Sequence, residues 1–110
     1  MMITEDDVEK AVHKLIDGAE KIAVAKADLI YAEEYKKSIK AMIMKDGRLG
    51  NMPISAQERE AVASAEYRKQ LEKIRDCTLK YEKLRAERVG LEAMIEFWRS
   101  RSANERAVKL

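Results

Sequence analysis

From Val8 onward, large apolar residues recur at every seventh position: Val8, Leu15, Ile22, Leu29 and Ile43, with Lys36 interrupting the row. A companion row, Ala11, Gly18, Ala25, Ala32 and Ile39, keeps the same period three residues later and is mostly small. Two such rows form a heptad-like seam on one side of an α-helix. A large row beside a small one lets a second helix backbone come close. The seam predicts a helix over 5–45. Thr4 is a good N-cap, and Glu5, Asp6 and Asp7 complement the positive end of the helix dipole. Asp7 stands where a Glu usually closes a capping box. Lys45 is a favourable cation at the far end, and Gly47 suits a left-handed cap. Gly18 costs about 1 kcal/mol relative to Ala in a helix interior. Either a close helix approach or a kink explains it.

Residues 46–55 read as a loop. The segment from Gly47 to Ile54 holds two of the four glycines and the only proline. Ser55-Ala56-Gln57-Glu58 has the form of a capping box and predicts a short helix over 56–63. Ser64 is a second N-cap candidate, so residues 63–66 make either a break between two helices or a bend within one. A long helix over 65–102 follows. Its apolar stripe is Tyr67, Leu71, Ile74, Thr78, Tyr81, Leu84, Leu91, Ile95 and Trp98. Two consecutive steps of three, from Thr78 to Leu84, make a stammer that carries the stripe round the helix. Gly90 lies mid-helix, and the tail 103–110 is expected to fray.

The two long helices would each span roughly 55–60 Å at ~1.5 Å per residue. Joined by one loop, they should run antiparallel. The expected fold is all-α and a single domain over 1–110: a long antiparallel helical hairpin with a short helix or bend between. Ile16, Ile30, Tyr35 and Met42 widen the stripe of the first helix, and Cys77 and Met94 that of the second. A wide stripe needs more than one neighbour. A homodimer or higher oligomer follows as the expectation, most simply two hairpins forming a four-helix bundle about a two-fold axis. Its self-association seam would be Leu15, Ile22, Leu29, Leu71, Ile74, Leu91, Ile95 and Trp98.

Charged residues are 38% of the chain, against a usual ~25%. Disorder is the rival reading, but 46% of residues are hydrophobic and recur with a period. The net charge of +2 gives no strong global field for nucleic acid or membrane. Its distribution is uneven, for seven of the nine arginines lie in residues 65–110. Cys77 is the only cysteine, so no intrachain disulfide forms and a reducing, cytoplasmic setting fits. No apolar run approaches the ~20 residues of a membrane span. The acidic start, MMITEDDVEK, does not read as a signal peptide.

No catalytic, cofactor or metal constellation is apparent, and the chain is not expected to be an enzyme. His13 is the only histidine, without ligand partners at metal spacing. The acidic positions of the first helix lack the Glu-x-x-His of a carboxylate-bridged site. The segment GRLGN lacks the Lys-Ser/Thr of a phosphate loop. Arg85 and Arg88 point toward the apolar stripe, and buried arginines need anions. Two readings stand: an internal register cluster with Asp17 and Glu20 of the opposing helix, or snorkelling to solvent. Arg99, Arg101 and Arg106 follow Trp98 and are the candidate nucleic-acid contacts, by phosphate pairing and base stacking. A cation-rich helix end accounts for them equally.

Three stretches carry a resemblance: EYKKSIKAMIM (34–44), SAQEREAVASAEY (55–67) and YEKLRAERVGLEAMIEFWRSRSANERA (81–107). Together they resemble a family of small helical proteins of tailed phages and prophages. Glu58-Arg59, Glu66-Tyr67, Trp98-Arg99, Ala103 and Arg106 match its pattern, while Ala65 stands where the family has Pro. The resemblance implies a helical fold and no particular activity. It implies a bacterial host cytoplasm, a phage or host protein as partner, and an accessory role near recombination and replication.

Overall fold

The computed structural model describes residues 2–109, the Arg48 side chain excepted. Helix α1 spans Glu5–Lys45, α2 spans Ile54–Ala63 and α3 spans Ala65–Lys109, with a short 3-10 turn at Gly47–Leu49. The described residues contain no strand. The long α1 packs against the long α3 as a hairpin, with α2 between them in the chain. Contacts divide the chain into two compact units. The first is Met1–Val24 with Glu82–Leu110, and the second is Ala25–Tyr81.

In the first unit, α1 begins as the sequence predicts. The Thr4 amide donates to the Asp7 carboxylate at 2.9 Å, and the Asp7 amide donates to the Thr4 hydroxyl at 3.2 Å. This reciprocal box satisfies amides that the helix itself cannot. Ala11 is buried, while Val8, Leu15, Ile22, Leu84, Leu91, Ile95 and Trp98 are half-buried. The end of α3 differs from expectation. Residues 103–109 continue the helix, with Arg106 and Lys109 as cations in its last turn. The final residue, 110, lies outside the described residues.

In the second unit, Ala25, Ala32 and Ile43 of α1 are buried, and Ala61 of α2 is wholly so. Lys40 of α1 pairs with Glu58 of α2 at 3.7 Å. Beyond Lys45 the chain does not use a left-handed cap, for no glycine has positive φ. Consecutive three-residue turns close the helix end instead: the amides of Asp46, Leu49 and Met52 donate to the carbonyls of Ile43, Asp46 and Leu49. Nor does Ser55 cap α2. The helix starts at Ile54 with Pro53 at the N-cap, which places Ser55 inside the first turn, beyond a cap's reach. The Gln57 side-chain amide donates to the Met52 carbonyl at 2.8 Å.

Ser64 is the single residue between α2 and α3, and its extended backbone breaks the helix there. Its hydroxyl donates to the Ala61 carbonyl at 2.7 Å and accepts the Tyr67 amide at 3.2 Å. One side chain thus closes α2 and opens α3, so the break reading holds over the bend.

The buried row of α3 also differs. Gln70 is 7% exposed, and its amide donates to the Ala32 carbonyl at 2.9 Å. Leu71 and Thr78 face outward, and the Thr78 hydroxyl donates to the Ile74 carbonyl at 2.7 Å. The inward positions are Tyr67, Gln70, Ile74, Cys77, Tyr81 and Leu84. Steps of three and four alternate without the stammer. A buried glutamine with a carbonyl partner occupies a place where apolar counting selects leucine.

Candidate interaction surface

Of the residues expected to carry self-association, Leu15, Ile22, Leu29, Ile74, Leu91, Ile95 and Trp98 are half-buried within the single chain. They are positions of the hairpin's own seam. Leu71 alone stands exposed. The open apolar surface therefore lies elsewhere. In the first unit it includes Val12, Ile16 and Val24 on α1, and Val89, Phe97 and Val108 on α3. In the second unit it comprises Ile30, Tyr31, Tyr35 and Met42 on α1, Met52 before α2, Ile54 and Val62 on α2, and Leu71 and Leu79 on α3. The Tyr31 and Tyr35 rings stack one turn apart, with centroids 5.9 Å apart and planes within 9°.

The register cluster does not form. Arg85 pairs with Glu82 at 3.5 Å and Arg88 with Glu92 at 3.9 Å, both along α3 itself. Asp17 and Glu20 are exposed on α1. Arg88 does occupy a seam position, four residues after Leu84 and three before Leu91. Its long stem lets the guanidinium reach water and a neighbour on its own helix, which is cheaper than burying a charge pair.

Two of the three candidate arginines at the basic end of α3 are engaged within the chain. Arg99 pairs with Glu96 at 2.8 Å. Arg101 is half-buried: its guanidinium donates to the Ile3 carbonyl, lies 5.9 Å from the Phe97 ring centre and sits 3.9 Å from Glu105. Arg106 lines a shallow groove with Glu5, Trp98, Arg99, Ser102, Glu105 and Lys109. Its lining carries three cations, Arg99, Arg106 and Lys109, beside two carboxylates, Glu5 and Glu105.

Two groups at the start of α1 are shifted. Hydrogen bonds from the Thr4 backbone and then its side chain hold the Asp7 carboxyl below its ordinary range. Asp6, 3.1 Å away, raises Lys10, chiefly by their hydrogen bond and then by charge. Both are surface effects at a helix N-terminus. His13 is exposed and Cys77 half-buried. Among the described residues no group of three or more His, Cys, Asp and Glu side chains is arranged to hold a metal ion. No described helix is long and apolar enough to cross a membrane.

The geometry defines an all-α helical hairpin with open apolar faces. No family model matches the chain, and neither a curated protein nor a solved structure matches it.

Proposed function

We propose that this chain acts without catalysis, as a helical homo-oligomer that works through protein–protein contact. The observation that supports this reading is its shortage of interior. The buried apolar residues are Ala11, Ala25, Ala32, Ile43 and Ala61, and no large side chain among the described residues is fully buried. The accessible surface is 8651 Å². A compact monomer of 12.6 kDa is expected to expose about 6,200 Å². The surplus, roughly 2,400 Å², exceeds the ~800 Å² that each partner buries in a standard interface. A second copy covering the open faces supplies the missing interior, in the manner of a four-helix bundle.

The phage or prophage assignment rests on the resemblance at Glu58-Arg59, Glu66-Tyr67 and Trp98-Arg99, and with it an accessory role in a bacterial cytoplasm. The nucleic-acid reading has less support, because Arg99 and Arg101 are already paired within the chain. Light scattering coupled to size exclusion at micromolar concentration tests self-association. A mass that is a multiple of 12.6 kDa is expected. A persistent monomer would sink the proposal.

A further inference from the structure

The self-association proposed for this chain can be given a surface, and the choice of surface rests on that reading. On one flank of α1 in the second unit, Ala27, Tyr31, Tyr35, Ser38, Ala41 and Met42 are all exposed. Residues 31, 35, 38 and 42 step by four, three and four, which places them along one face of the helix. Tyr31 is 67% exposed, Tyr35 40% and Met42 53%. The two rings already hold a stacked arrangement, so little side-chain freedom remains to be lost on docking. Ordered, exposed tyrosines are the side chains on which association energy concentrates.

We propose that this face docks on the same face of a second copy, with the two α1 helices antiparallel about a two-fold axis beside residue 33. A two-fold interface must complement itself. This face reads nearly the same in both directions from residue 33. Tyr31 falls opposite Tyr35 of the second copy, and Val24, 49% exposed, opposite Met42. Aromatic meets aromatic, and apolar meets apolar. Glu34 falls near its own copy at the rim. It carries a counter-ion with it, since Lys37 lies 3.3 Å away. The surplus surface of the chain is ample for such an interface.

The test compares the full chain with a Tyr31→Lys/Tyr35→Lys variant by light scattering and circular dichroism. Both positions are exposed, so helix content should be unchanged. Loss of two aromatic anchors should weaken self-association at least ~30-fold, turning a dimer into a species of 12.6 kDa at micromolar concentration. A variant that stays dimeric overturns this face and leaves self-association standing. A wild-type chain that is monomeric overturns both. Should the variant lose helix content, a second measurement decides. In a Cys77→Ser background, Glu34→Cys places a thiol beside the axis, and a short bismaleimide should join two copies. Leu79→Cys, on the outer side of α3, should stay unlinked. No linking at position 34 overturns the proposal.

Discussion

Replacing Gly18 by alanine should stabilise the protein. Gly18 lies in the interior of α1, where glycine is about 0.8–1.0 kcal/mol worse than alanine. Two circumstances would forbid the exchange, and neither applies. Its φ is not positive, and a Cβ built there meets nothing within 4 Å. The close helix approach expected from its place in the small row is therefore absent at this residue. Nor does the helix end there, since α1 runs unbroken from Glu5 to Lys45. Gly18 is half-buried, so the new methyl removes a little apolar surface from water, adding up to about 0.4 kcal/mol. The total of roughly 1.2–1.4 kcal/mol corresponds to a rise in melting temperature of about 5–10 °C. Gly90 provides the control. It is exposed and equally free of neighbours, so Gly90→Ala should gain only the helix term of about 0.8–1.0 kcal/mol. Urea denaturation followed by circular dichroism, at one protein concentration, measures both. A Gly18→Ala protein that is less stable than wild type would refute the reasoning, because it would mean that the helices need that backbone bare.

Gln70→Glu should cost about 3 kcal/mol at neutral pH, since it sets a buried carboxylate against the Ala32 carbonyl in place of an amide donor. That loss should fall away as pH drops from the raised folded pKa of the buried carboxyl to about pH 4, since burial favours the protonated, donating form, and a urea midpoint that does not move with pH would count against it. The Asp7 carboxyl is depressed in the fold, so its contribution to the helix start is complete above the ordinary carboxylate range and vanishes as pH falls through the folded value. Lys10 is raised, so its contribution is complete below the ordinary lysine range and vanishes as pH climbs through the folded value. An NMR titration should place the Asp7 midpoint below that of an aspartate in a short blocked peptide, and an equal or higher midpoint would contradict the capping box.

The seven-residue rows of α1 are legible because the hairpin uses them as written: Ala11, Ala25 and Ala32 are its most buried positions. The Thr4 and Ser64 caps are legible for the same reason, since each needs only one side chain and its local backbone. Gln70 was not legible by hydrophobicity. A strict alternation of three and four from Tyr67 lands on it, but its burial depends on a carbonyl 38 residues away. Arg85 and Arg88 were misleading because direction on a helix does not decide where a long, flexible side chain puts its charge. The open tyrosine face was only partly visible. Tyr35 and Met42 extend the apolar stripe, but only the packed hairpin shows that they remain outside it.

Alanine recurring at sevens has a consequence for how the two rods find their alignment. Small, identical teeth mesh almost as well after a slip of two turns as before it, so such a ratchet tolerates wrong settings. The glutamine at position 70 is a one-way pawl: moved two turns toward the C-terminus of α1 its amide would sit beside Ile39, which fills the space, whereas two turns the other way it would meet Ala25, a tooth equal to Ala32. In this part of the molecule that one polar group bars slippage in a single direction, and the large residues of the neighbouring row must bar it in the other.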